Sequence, residues 1–222
     1  MASNNDPDDR TIYLTTHPSS ISGAVFAIIC ELLGYFPILP PSPFNLSVKP
    51  ALTRSYAQSS LPYRVHSSSN YAFIEALHDP TWSVSCPIPS RAGNAWYLLE
   101  TYDTAHRYTY DTESPLADEI AEWERNLENI MRFQWMHRGR QFHDRIGVLC
   151  MCLEARLKVR EAGWVVGKEL SLADIATFPY ISYMRWAEDD NEGRFPTVKA
   201  WYDRLAGIPG FWRGMAAAGM GV

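Results

Sequence analysis

Ser19, Ser20 and Ser22 stand between two stretches of opposite character. Thr11-Ile12-Tyr13-Leu14-Thr15 is rich in β-branched and aromatic residues and suits a short buried strand. Ala24 to Leu33 is an apolar run closed by Gly34, which reads as a helix with a glycine stop. Between them, His17-Pro18-Ser19-Ser20-Ile21-Ser22-Gly23 has the composition of a loop. A helix that starts after such a loop leaves backbone N–H groups free. Together with the helix dipole they can bind an anion or stabilise a thiolate. The serine hydroxyls are also good helix caps, and the two roles can hold together.

A second group of residues combines chemistry and spacing, Leu170-Ser171-Leu172-Ala173-Asp174-Ile175. Ser171 and Asp174 have capping-box spacing. The Ser171 hydroxyl is expected to accept from the Asp174 backbone N–H, and the Asp174 carboxylate to reach back to the N–H of Ser171. Leu170 and Ile175 are placed to close a hydrophobic staple over that helix start. Asp174 could instead be a catalytic carboxylate, but its neighbours and spacing are explained by capping, and it is read as a folding device. His137 and His143, with Asp144, suggest a metal only weakly, because a gap of six matches neither helical ligand spacing. No metal is expected.

These groups belong to a chain of 222 residues, enough for one large or two small domains. An apolar share of 46% and a net charge of −5 describe a globular protein with a substantial core. Mild acidity argues against a nucleic-acid partner, which needs a clustered basic face. Cys30, Cys86, Cys150 and Cys152 lack zinc-type pairing, and Cys150 and Cys152 would point to different faces of one helix. The polar, acidic start resembles neither a secretory signal nor a transit peptide. The apolar run from Ala24 to Cys30 falls far short of the ~20 residues that cross a bilayer. A cytoplasmic protein without a membrane partner is expected.

The second half shows helical periodicity. Ile120, Trp123, Leu127, Ile130 and Met131 recur at three and four, with Glu and Arg assigned to the other face. A helix from about Phe142 to Arg160 uses Ile146, Leu149, Cys150, Leu153 and Leu157. Phe195, Val198, Trp201, Tyr202 and Leu205 form a further stripe, and Gly163, Gly167, Gly193 and Gly207 mark stops or turns. Residues 35–70 break the pattern: they are Pro- and Ser-rich and show no sustained period. An unusual loop or a retained intron, with borders near Gly34-Tyr35 and Ala57-Gln58, would account for them.

Gly167-Lys168-Glu169-Leu170-Ser171-Leu172-Ala173-Asp174-Ile175, then Phe195-Pro196-Thr197-Val198-Lys199-Ala200-Trp201, resembles the C-terminal helical domain of glutathione S-transferases. Leu14-Thr15-Thr16-His17-Pro18-Ser19-Ser20-Ile21-Ser22 and Cys30-Glu31-Leu32-Leu33-Gly34 are similar to the first strand and helix of the fungal, nitrogen-regulator-like branch. The isomerising transferase-like enzymes of pseurotin-type biosynthesis are one part of what the chain resembles. The resemblance implies an α/β thioredoxin-like N-terminal domain, irregular or incomplete here, followed by an all-α C-terminal domain. The implied limits are a disordered tail over 1–10, an N-terminal domain over 11–103 with an irregular 35–93, and a helical domain over 113–222. It also implies a homodimer and glutathione as cofactor or cosubstrate, used on an apolar electrophile in fungal secondary metabolism.

Carried onto this sequence, the family's pattern makes Ser19, Ser20 and Ser22 the donors to the glutathione sulfur. His17, Arg91 and Gly93 would contact the rest of the tripeptide, and Gln134, Trp135 and Met136 would line the apolar substrate pocket. Two departures stand out. Arg91-Ala92 replaces the family's Glu-Ser pair, which binds the γ-glutamyl carboxylate and amine, and the proline loop expected between Glu75 and Leu77 is missing. Leu61-Pro62-Tyr63-Arg64-Val65-His66 resembles the family's second strand. The departures also admit a non-catalytic binding or scaffold module.

Overall fold

The computed structural model describes residues 13–16, 21–34, 47–50, 76–78, 91–131, 140–183 and 193–220. Tyr13–Thr16 (β1), Ser47–Pro50 (β2) and Ala76–His78 (β3) form a sheet in the order β2-β1-β3. β1 is central. Leu14 stands opposite Val48 in the parallel β2 and opposite Leu77 in the antiparallel β3. The connection from β1 to β2 carries α1, Ile21–Gly34, as parallel neighbours need a crossover.

One expectation is corrected here. Residues 35–70 show no sustained period, and the strand signal within them falls on Leu61 to His66, yet β2 lies at Ser47–Pro50. Its signal is short: β-branched Val48 in a four-residue strand that ends on Pro50. Proline is tolerated at the end of an outer strand, where its missing N–H breaks no ladder. The strand expected over Leu61 to His66 lies outside the described residues, as do Thr11 and Ile12 of the first.

The chain divides into two compact units, Met1–Asn94 with Arg213–Val222, and Ala95–Trp212. In the first, α1 is apolar on nearly all sides, with Ala24, Phe26, Ala27, Ile28 and Ile29 all fully buried. Such a helix must be covered on more than one face. One cover comes from the last helix, α7 (Pro209–Ala217), through which the division runs. A Cβ added at Gly214 would lie 2.5 Å from both the N and Cα of Ile28, so the two backbones approach as only glycine permits. At the edge of this crossing Arg213 Nε meets Glu31 Oε2 at 3.0 Å.

The second unit is helical. It holds most of α2 (Arg91–Tyr102), then α3 (Pro115–Met131), α4 (Arg140–Lys158), α5 (Leu172–Tyr183) and α6 (Pro196–Ala206). α5 is the centre: every residue from Leu172 to Ile181 is buried, and α3, α4 and α6 all pack on it. Phe178 stacks on Tyr202 at 5.2 Å and meets Phe211 edge-on at 4.8 Å. α3 buries Ile120, Trp123, Leu127 and Met131 as the periodicity requires, but also Glu124, which corrects the assignment of its glutamates to the opposite face. The Trp123 indole N–H donates to Thr177 Oγ1 at 2.8 Å, which ties α3 to α5.

α6 starts without a cap of its own. Its N-cap position is Phe195, whose side chain makes no capping bond, and Pro196 follows. Glu154 of α4 supplies the missing acceptor, taking the Val198 N–H at 2.8 Å and the Thr197 hydroxyl at 2.8 Å. Burial raises the Glu154 carboxyl, but the Val198 N–H, the Thr197 hydroxyl and Lys158 outweigh it and hold it below the usual glutamate range.

Candidate functional site

β1 leads to the amino end of α1, where Ser22 is the second helical residue. Arg91 and Gly93 are the first and third residues of α2. All three belong to the first compact unit. Neither first turn contains an acidic residue, so no carboxylate of the turn itself opposes the positive end of the helix dipole. Such an end suits a thiolate or a carboxylate. By residue type Arg91 is a further donor for a carboxylate, whereas neither first turn offers a carboxylate to an ammonium group. His17, Ser19, Ser20, Gln134, Trp135 and Met136 lie outside the described residues, as does His137. Among the described residues no cluster of three His, Cys, Asp or Glu side chains could hold a metal ion.

Asp174, the other chemical candidate, is fully buried with all its acceptor positions engaged. Its Oδ2 takes the Ser171 N–H at 3.0 Å and the Ser171 hydroxyl at 2.9 Å. Oδ1 takes the Val165 N–H at 3.0 Å and the Trp201 indole at 2.8 Å. The capping box is therefore present with one change. The Ser171 hydroxyl donates to the carboxylate instead of accepting, and the Asp174 N–H bonds to the Ser171 carbonyl at 3.0 Å. The fully buried carboxylate can accept a hydroxyl proton, so the serine turns toward it. Burial raises the Asp174 carboxyl, against the pull of Val165, Trp201 and Ser171. A carboxylate with four protein donors and no exposed surface holds structure and leaves no room for a substrate.

Beside this network Gly167 has φ +68°, and an added Cβ would lie 2.1 Å from the Tyr110 hydroxyl. Both the left-handed backbone and the contact require glycine there.

Glu124 is a titratable group that the sequence reading missed. It is 7% exposed, accepts from the Trp96 indole at 2.6 Å, and is pushed up to about 7 by burial, with Trp96 opposing and Glu128 adding to the rise. A folded value above the ordinary 4.5 favours the protonated form. Its contribution to stability is thus full below about 4.5 and is lost as pH rises through about 7. Glu124→Gln, which keeps an acceptor for Trp96, is expected to stabilise the protein at pH 8.5 by about 2–3 kcal/mol and to change little at pH 4.5. Urea unfolding at the two pH values measures this; an equal effect at both would disprove the assignment.

The helical unit can be compared with known proteins from here. Residues 137–211 match the glutathione S-transferase C-terminal domain. The matched segment contains Glu154, the Asp174 network and the start of α7. None of the curated proteins matches the chain. Among solved structures it is similar to the glutathione transferase URE2P8 from Phanerochaete chrysosporium with oxidized glutathione, at 18% identity and a TM-score of 0.67, over 98% of this chain and 97% of that one. Ure2p in complex with glutathione gives 18% and 0.67, over 92% of this chain and 93% of that one. A glutathione transferase homolog from Lodderomyces elongisporus, with two GSH per subunit, gives 16% and 0.65, over 93% and 98%. At these identities the likeness is one of fold. The chain has the glutathione transferase fold, a thioredoxin-like N-terminal part and an all-α C-terminal part. Among the described residues no helix is long and apolar enough to cross a membrane.

Proposed function

We propose that this chain is a glutathione S-transferase-like enzyme that acts on an apolar electrophile. The observation that carries the reading is the amino end of α1. It follows β1, has no acidic residue in its first turn, and lies in a fold shared with URE2P8 over 98% of the chain. When bound there, glutathione would supply a thiolate nucleophile, giving a conjugate or, by reversible addition to a conjugated alkene, a cis/trans isomer. Ser19, Ser20 and Ser22 donate to the sulfur and favour its charged form. His17, Arg91 and Gly93 hold the peptide part, Arg91 through a carboxylate. Gln134, Trp135 and Met136 hold the apolar substrate and keep water from it. A cytoplasmic homodimer with domains over 11–103 and 113–222, serving pseurotin-type fungal secondary metabolism, completes the proposal.

A second reading is favoured by one observation. α2 begins with Arg91-Ala92, so its first turn lacks the carboxylate that the γ-glutamyl ammonium needs. On that reading the chain is a transferase-like scaffold. Calorimetric titration separates the two. An enzyme is expected to saturate with glutathione at or below millimolar concentration, and Arg91→Ala to weaken it on the order of 10-fold. No heat of binding at several millimolar would leave the scaffold.

A further inference from the structure

α3 carries a buried carboxyl that packing alone does not explain. Asp174 meets four protein donors, whereas Glu124 meets one: the Trp96 indole N–H donates to its Oε2 at 2.6 Å. Among the described residues no donor reaches its Oε1 and no cation pairs with either oxygen. Buried charges are normally paired, so the ionised form of Glu124 is held at a cost and the neutral acid is close at hand.

The charges on the elements packed around it leave this unchanged. On α4, Arg145 bonds the Ile130 carbonyl and Arg156 the Val165 carbonyl, and on α5 Asp174 is enclosed by its own donors. Glu100, one turn past Trp96 on α2, is exposed. The charge that acts on Glu124 is that of Glu128, one turn on along α3, and as a like charge it favours the proton.

Trp96 gives this carboxyl a reach beyond α3. It stands five residues past Arg91, about 7.5 Å along the axis of α2. Like charges at a separation on the order of 10 Å still repel when one of them is buried, because salt screens it little.

We propose that Glu124 is the proton acceptor for anion binding at the amino end of α2. When a ligand carboxylate arrives there, Glu124 takes a proton from solvent, and it gives the proton back when the ligand leaves. The inference rests on the glutathione reading of that helix end. No bond of the ligand changes, and Glu124 acts through charge without touching it. An anionic ligand favours the protonated carboxyl, so affinity is highest below about 7 and falls as pH rises past it.

Calorimetric titration with S-methylglutathione, whose sulfur has no proton to lose, tests this between about pH 6 and about pH 8.5. The parent affinity is expected to fall about 3- to 7-fold across that range. Near pH 7.5 binding should take up about 0.3–0.5 of a proton, read from the change in heat between buffers of different ionisation enthalpy. Glu124→Gln keeps an acceptor for Trp96 but cannot take the proton, and should bind with level affinity and no uptake. The nuclear magnetic resonance signal of the Trp96 indole N–H, assigned with Trp96→Phe, should titrate near pH 7 in the free parent and at higher pH when saturated. His17, placed at the same site by resemblance, titrates in this range too. A pH dependence that survives Glu124→Gln would belong to His17 and would overturn the inference, as would binding by the parent at level affinity. No binding at any pH, with the Trp96 signal still titrating, would put the failure in the glutathione reading and take the inference with it.

Discussion

Asp174→Ala is expected to cost the protein about 4–5 kcal/mol, close to the whole stability of an ordinary domain. The carboxylate accepts the Val165 N–H, the Ser171 N–H and the Trp201 indole N–H, and all of these bonds are buried. A buried donor without a partner costs about 1–3 kcal/mol, and three donors lose theirs together. The costs overlap, because the same helix start, interhelical loop and α6 indole are released at once. Asp174→Asn keeps the shape but turns an NH2 toward donors, and about 2–3 kcal/mol should be lost. Urea unfolding followed by tryptophan fluorescence measures both. A loss below about 1 kcal/mol for Asp174→Ala would show that the network does not hold the unit together.

The second large effect is expected at Gly214. Its added Cβ would sit 2.5 Å from the N and Cα of Ile28, and backbone cannot swing aside as a side chain can. α7 must therefore lift from α1, opening a gap beside Ile28 and Ile29, which are fully buried, and stretching the Arg213–Glu31 pair. Gly214→Ala should cost about 2–3 kcal/mol and Gly214→Val more, since forced overpacking also breaks surrounding contacts. Gly147 in the middle of α4 is the control, because its added Cβ would meet nothing within 4 Å. Gly147→Ala should stabilise by up to about 1 kcal/mol through helix propensity alone. Equal melting temperatures for Gly214→Ala and the parent would refute the close crossing.

The contrast between these sites shows what a sequence makes legible. Ser171 and Asp174 are three residues apart, so their bond is local and its spacing visible. Trp201 and Val165 reach the same carboxylate only after α6 and the loop before α5 have packed, and no local pattern announces them. The stripes of α3, α4 and α6 were readable because helical period and burial coincide. Glu124 was misassigned although a signal existed: it follows Ile120 by four and precedes Leu127 by three, within the apolar stripe. β2 escaped because a four-residue strand beside several prolines has too few positions to show alternation. For the candidate site, the sequence put Ser22 in a loop before a helix starting at Ala24, whereas α1 already begins at Ile21. The family resemblance put Arg91 at a helix start, and α2 begins there. Its remaining candidates outside the described residues are carried by family resemblance alone.

The cap that α6 lacks has a consequence for synthesis. Glu154 is 43 residues ahead of Thr197, so it leaves the ribosome long before the helix whose start it completes. With Phe195 at its N-cap, that later segment has no side-chain cap of its own, although Pro196 suits the first helical position. The start of α6 is satisfied only once α4 packs beside it and its carboxylate meets Thr197 and Val198.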